Sequence, residues 1–420
     1  MNNNSIQLTE YQKLYSNDEQ INEEIFTSLE NFILENDTPF LLLKSYRGKK
    51  YIQAQNYVGI IQLKNGFTLE ILPKITDLEE NTEPSIKESK KILIKMIKSL
   101  RTPPFKNINK ANLKNENMPL FEIFIKMFLD EFENLLKFGI KSEYLQKQEN
   151  LKFLKGKLLI KEQIKKNFIH KERFYTKFDE FTTNRVENKL IKTTLLFLLK
   201  KSKNENNKRL IKRYLIFFEQ VDISYNIKSD FNKIKLSRDI KHYKIILSWA
   251  EIFLLNETFS VYKGKNVAFA LLFDMNLLFE SYIGQFFKKN CKAYREYEIK
   301  LQDKSYFLAS GVDENENKKY FPLKPDVVIE ITDDNNKIIE NVIFDTKWKH
   351  LSQNDNISQS DLYQMYSYGT KYENCKVIYL VYPYTEKWSK PTEYKFNKNL
   401  TLKILFFDLK INEFIMSNQD

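Results

Sequence analysis

Asp345 and Lys347 stand two residues apart at the end of one apolar run, and Pro325-Asp326 opens another, Val327-Val328-Ile329. Strands that end side by side can bring such distant carboxylates onto one hard cation, while a lysine beside them faces a phosphate. The chemistry this predicts is metal-dependent hydrolysis of a phosphodiester. Asp326 and Asp345 would hold Mg²⁺, with Mn²⁺ as a substitute, and Lys347 would orient the attacking water or stabilise a phosphate oxygen. The cation would lower the pKa of a bound water and neutralise charge building in the transition state. On a strand the period of 2 points Asp345 and Lys347 to one face, so Thr346 is expected to face away and to offer only its carbonyl. Glu330, on the same strand face as Asp326, is a further ligand candidate.

The elements that must position these side chains can be read around them. Thr332-Asp333-Asp334-Asn335-Asn336-Lys337 is a polar turn cluster, so the two motif strands should form a hairpin. Upstream, Phe273, Met275, Leu277, Leu278, Phe279, Tyr282, Ile283 and Phe286 recur with helical spacing around Glu280. Downstream, Gln364 and Tyr368 fall at i and i+4 on one face of a second helix. With strands at 294–301, 377–382 and 402–409, the order helix, strand, strand pair, helix, strand, strand describes an α/β unit at the C-terminus. Near the N-terminus, Tyr57 to Leu63 and Phe67 to Leu72 flank Lys64-Asn65-Gly66, a strong hairpin signal. A polar linker is expected over Thr76 to Ser85. From Ile86 to Phe259 the pattern is mostly helical, with Leu120, Phe121, Ile123, Phe124, Met127, Phe128, Phe132, Leu135 and Leu136 on one broad face. The expected fold class is therefore α+β and multidomain: a small N-terminal β-rich domain over 1–85, a mainly helical middle domain over 86–262, and a C-terminal α/β domain over 263–420.

Composition narrows the function. At 420 residues and 42% hydrophobic, the chain can bury several cores. Its 67 Lys and Arg against 55 Asp and Glu give a net charge of +12, which suits a polyanionic partner. The segment 151–177 concentrates basic residues, among them Lys157, Lys165, Lys166 and Arg173, interleaved with Phe153, Phe168, Phe174 and Tyr175; it is the expected DNA-backbone surface outside the catalytic site. Two cysteines, Cys291 and Cys375, are too few for a disulfide framework or a thiolate zinc site. The start Met1-Asn2-Asn3-Asn4-Ser5 has no basic stretch followed by an apolar one, and no run of roughly eighteen apolar residues offers a membrane span, so a cytoplasmic protein is expected. No phosphate-cradling loop of the P-loop kind is present, so nucleotide hydrolysis would belong to a partner.

The paired motif resembles the PD-(D/E)xK nuclease superfamily, and Gln364 with Tyr368 resembles the Q-x-x-x-Y element of its RecB-type members. That likeness implies that Glu280 adds a third metal carboxylate and that Gln364 and Tyr368 position DNA or Lys347. Over most of its length the chain is similar to the McrC family, the nuclease subunits of modification-dependent (5-methylcytosine) restriction systems. The likeness is carried by Gly66-Phe67-Thr68-Leu69-Glu70-Ile71-Leu72-Pro73-Lys74-Ile75, Leu120-Phe121-Glu122-Ile123-Phe124, Gly156-Lys157-Leu158, Asn184-Arg185-Val186-Glu187-Asn188-Lys189 and Met275-Asn276-Leu277-Leu278-Phe279-Glu280, in that order. It implies double-stranded DNA as substrate and, as partner, an AAA+ GTPase of the McrB type, which binds the GTP and whose hydrolysis this chain stimulates. The β-rich unit at 40–75 is then the candidate for insertion into the GTPase ring, with Arg47 reaching toward a nucleotide. Two alternatives stay open: a stand-alone RecB-type repair nuclease, and a non-catalytic GTPase-activating assembly subunit.

Overall fold

The computed structural model describes residues 5–19, 21–35, 39–75, 83–100, 102, 104–105, 118–234, 238–255, 267–291, 297–313, 316–335, 337–349, 351, 357–385 and 392–415. Most of the expected linker at 76–85 and the start of the strand expected at 294 lie outside them. The chain divides into two compact units, 1–117 with 262–420, and 118–261. The N-terminal and C-terminal thirds, expected as separate domains, fall in one unit.

A shared sheet explains that union. The Asn65-Gly66 hairpin forms as expected, with Tyr57–Leu63 antiparallel to Thr68–Leu72 and Gly66 at φ 86° in the turn. Ser5–Thr9 adds parallel to Thr68–Leu72. On the other edge comes Val267–Asp274, about two hundred residues later in sequence. Gly59 permits that pairing: its φ is 139°, and a Cβ there would run into the carbonyl of Leu271. Phe273, grouped by periodicity with the following helix, therefore lies in this strand. The helix runs Met275–Asn290, started by the Asp274 side chain accepting from the Asn276 amide.

The site is carried by a second sheet of seven strands. Its order is Tyr297–Leu301, Val327–Thr332, Ile338–Thr346, Cys375–Pro383, Thr401–Asp408 and Thr392–Lys395, with Glu413–Ile415 also pairing with Thr401–Asp408. Val327–Thr332 and Ile338–Thr346 form the expected hairpin, closed by Asp333, whose carboxylate accepts from the amides of Asn335 and Lys337. From Ile338–Thr346 the chain crosses through the helix Gln359–Lys371 to the parallel strand Cys375–Pro383. Ser358 caps that helix by accepting from the Asp361 amide. Gly369 lets it lie close on the sheet, since a Cβ there would meet Ile378 Cδ1 and Leu400 Cδ2, both at 2.6 Å. Val328, Ile343, Met365, Tyr368, Ile378 and Leu402 share the core beneath it. A separate hairpin, Phe307–Asp313 with Glu316–Pro322, stands before the Asp326 strand and was not foreseen.

The unit at 118–261 is mainly helical, as expected. Leu120–Phe138 buries its aromatic face, Phe128 against Phe253 and Phe132 against Tyr214 and Phe218. It also carries a β-ribbon, Glu143–Leu151 with Phe174–Thr182, that helical periodicity did not reveal. No helix among the described residues is long and apolar enough to cross a membrane.

Candidate active site

Register places the first two candidates face to face. Val327 pairs with Phe344, so the next residues outward, Asp326 and Asp345, oppose one another at the hairpin's open end. Pro325 suits that strand entry, where no ladder N–H is required. The Asp326 carbonyl is tied by the amide of Gln302 at 3.0 Å, a residue held at φ 52°.

Asp345 is 2% exposed, and burial together with the nearby Asp326 charge pushes its carboxyl up to about 7. Burial also raises Asp326, opposed by two hydrogen bonds from Thr346 to Oδ2: the amide at 2.7 Å and Oγ1 at 2.6 Å. Thr346 was expected to face away and does not. The strand ends here, freeing its backbone N–H and hydroxyl to turn toward the carboxylate that precedes the neighbouring strand. Lys347 shares the Asp345 face as expected, its Nζ 2.6 Å from Asp345 Oδ2. The amine also donates to Gln364 Oε1 at 2.9 Å, and Gln364 Nε2 donates on to the Tyr368 hydroxyl at 2.8 Å. Burial would lower the Lys347 amine, but Asp345 and Asp326 outweigh it and hold the amine charged.

Asp345 Oδ2 is therefore buried against the Lys347 ammonium. A buried carboxylate opposite a second carboxylate fits a hard divalent cation. Among the described residues no three His, Cys, Asp or Glu side chains are grouped to hold a metal. Two protein carboxylates with the remaining positions left to water or substrate oxygens is an arrangement Mg²⁺ tolerates.

The other expected ligands are otherwise engaged. Glu280 accepts a hydrogen bond from the Gln302 side chain, so it connects to Asp326 through Gln302 and is not grouped with the two aspartates. Glu330 is buried in an ion pair with Lys300 at 2.6 Å. Sequence reasoning missed Gln302, and for Thr346 it named only the carbonyl and not the amide and hydroxyl that hold Asp326. It also missed Glu10, whose buried carboxylate accepts from the indole of Trp348, the residue after Lys347, at 3.0 Å. No local signal could have found Gln302 or Glu10, because both partnerships are tertiary.

The basic candidates lie elsewhere. Lys157 is in a short strand on the ribbon, and Lys165 and Lys166 end the helix Ile160–Lys166, with Lys166 over the Tyr175 ring at 4.1 Å and paired to Glu162. The backbone carbonyl of Arg173 accepts from Gln163 close by. Around them Phe153, Ile160, Ile164, Phe168 and Ile169 are exposed. Arg47 occupies the tip of the hairpin Leu41–Tyr46 and Lys49–Ala54, at φ 50° with its guanidinium 5.1 Å from the Tyr46 ring centroid.

The fold and the site together define a mixed α/β protein bearing a buried aspartate pair and a lysine at a sheet end. The family model described as McrBC 5-methylcytosine restriction system component matches residues 52–383, and the chain belongs to that family. Among curated proteins no sequence matches. Solved structures that share the fold include two of note. One is a chain of the refined half-complex from the tetradecameric assembly of Thermococcus gammatolerans McrB AAA+ hexamers with bound McrC: 20% identity, TM-score 0.69, over 96% of this chain and 94% of that one. The other is a chain of the cryo-EM structure of the Thermococcus gammatolerans McrBC complex: 21% identity, TM-score 0.51, over 70% of this chain and 89% of that one.

Proposed function

We propose that this chain is the DNA-cleaving subunit of a modification-dependent, GTP-dependent restriction system, with a PD-(D/E)xK nuclease site at Asp326, Asp345 and Lys347. The observation that carries the reading is the buried, opposed aspartate pair with Lys347 held beside it by Gln364, in a member of the McrBC family. Asp326 and Asp345 are the residues that would hold Mg²⁺. The bound ion would supply Lewis acidity toward a phosphodiester. Thr346 fixes the Asp326 carboxylate by two hydrogen bonds, which sets the direction of its free oxygen. Lys347 stays charged and stabilises the phosphate oxygen on which charge accumulates. Glu280 supports from outside through Gln302.

Gln364→Ala removes the acceptor that aims Lys347 and leaves the amine to Asp345 alone. Orienting partners of this kind typically change rates by about 10- to 100-fold. The expected result is a loss of that size in the single-turnover cleavage rate with DNA affinity unchanged, measured by filter binding alongside cleavage. A parallel loss in affinity would place Gln364 in DNA binding instead.

The partner is an AAA+ GTPase of the McrB type, a reading supported by the assemblies whose chains share this fold. GTP would bind that partner. Arg47, at an exposed hairpin tip, remains the proposed contact to the GTPase, and the ribbon lysines of 151–177 the proposed DNA-backbone surface. The test is plasmid cleavage on methylated and unmethylated DNA with Mg²⁺ and GTP, with and without the GTPase. Cleavage that needs methylation, partner and GTP is expected. Partner-free cutting would replace this reading with a stand-alone RecB-type nuclease, and stimulated GTP hydrolysis without cutting would replace it with an assembly subunit.

A further inference from the structure

A cleft of about 420 Å³ opens beside the site, between the helix Gln359–Lys371 and the hairpin Phe307–Asp313/Glu316–Pro322. Its helix wall is Gln364, Ser367 and Tyr368, one face of that helix. Leu308 and Leu323 supply an apolar surface from the other side, and Lys324 stands on it two residues before Asp326. The wall and the catalytic lysine are physically joined, because the Gln364 side chain that lines the cleft accepts from Lys347. Whatever fills the cleft therefore sits one side chain away from the phosphate that Lys347 would face.

The chemistry of the walls selects the occupant. A volume of this size lies within the range of about 300–1,000 Å³ common for sites that enclose small organic groups. Apolar faces from Leu308 and Leu323 suit the flat surface of a base, and Ser367 and Lys324 offer polar atoms to its edge. The hairpin continues the theme outward: Phe321 is 70% exposed at φ 58°, and Lys319 lies 5.5 Å from the Phe307 ring centroid. Aromatic surface interleaved with lysine is what a nucleic-acid strand out of its stack meets favourably.

We infer that this cleft receives the nucleobase next to the scissile phosphate, turned out of the duplex, and so places the strand for cutting. The inference rests on the nuclease reading above for the identity of the substrate. It has a structural consequence of its own: one nucleotide near the cut must lose its stacking when the protein binds, whether or not cleavage follows.

The test uses the full chain carrying Asp345→Asn, with its GTPase partner, GTP and Mg²⁺. It binds methylated duplexes that carry 2-aminopurine at successive positions, and wild-type protein maps the cut on the same duplexes. A several-fold rise in 2-aminopurine fluorescence at a single position adjacent to the cut is expected. Ser367→Phe, which fills the cleft from the helix, and Leu308→Phe, which fills it from the hairpin, should each abolish that rise in the Asp345→Asn background. DNA binding by anisotropy without any position brightening would overturn the cleft assignment, and so would brightening that survives both cleft-filling variants. Brightening that both variants remove, in a protein whose wild type cuts nothing, would keep the cleft as a base-binding site and overturn the nuclease reading alone.

Discussion

Asp345→Asn is expected to abolish cleavage, by at least about 10³-fold, and at the same pH 8 to make the fold more stable. The two effects have one cause. Asp345 is buried and faces Asp326, so ionising both carboxylates costs the native state free energy that Lys347 only partly returns. The folded pKa is raised from 3.8 to about 7, so the stability associated with the neutral acid is fully present below about 4 and is lost as pH rises through 7. Asparagine keeps the shape and never ionises. The gain at pH 8 should be on the order of 2–4 kcal/mol and should vanish near pH 4. Urea denaturation at several pH values, run beside cleavage of plasmid DNA, checks both halves. Retained cutting would remove Asp345 from the chemistry. A variant less stable than wild type at pH 8 would mean that the aspartate pair is not under electrostatic strain. Sites that trade stability for function are expected to behave in this way. Added Mg²⁺ should narrow the gap, because an ion held by both carboxylates stabilises only the wild type.

Much of this site was legible because it depends on short-range periodicity. The alternation of Asp345 and Lys347, the polar turn at 332–337 and the i, i+4 spacing of Gln364 and Tyr368 are local facts, and the structure keeps all three. The opposition of Asp326 and Asp345 follows from the hairpin once its turn is read. What failed was whatever depends on a partner distant in sequence. Thr346 obeys strand alternation only inside a ladder, and it stands at the end of one. Glu280 was placed correctly on its helix, but its bond to Gln302 depends on a left-handed residue after another strand. Glu330 likewise lies on the expected strand face, but it is paired diagonally to Lys300, which sits opposite Val328 on the neighbouring strand.

The same reasoning explains the domain organisation. Val267–Asp274 reads locally as the approach to a helix, and nothing in it announces pairing with Tyr57–Leu63. Only the match between a glycine lacking Cβ and a carbonyl about two hundred residues away reveals the fit. Long-range strand addition of this kind costs loop entropy and leaves no periodic trace. Its effect is to bring the residue after the first strand, Glu10, into the unit that holds Asp326, Asp345 and Lys347.

Glu10→Gln should flatten the pH dependence of stability, whereas Glu10→Ala should destabilise most at low pH, where the wild-type acid is neutral. Glu10 is 1% exposed and receives the Trp348 indole N–H and the Lys74 amide. Burial pushes its carboxyl up to about 8, against the lowering effect of those two donors. A raised acid behaves as Asp345 does: the stability of its neutral form is complete below about 4.5 and is lost as pH climbs through 8. Glutamine retains an acceptor oxygen and removes the titration, so it should match wild type near pH 4.5 and exceed it at pH 9 by as much as about 5 kcal/mol. Alanine strands two buried donors, at about 1–3 kcal/mol each, and leaves a cavity besides. Trp348 also packs edge-on against Phe279, on the helix that bears Glu280, with ring centroids 5.5 Å apart. The alanine variant should therefore loosen the segment that carries Lys347, and cleavage should fall even at temperatures where the protein stays folded. Denaturation midpoints for both variants at pH 5 and pH 9 decide the matter. A glutamine variant that loses the same stability at both would show that Glu10 acts as a charge and not as a buried acceptor.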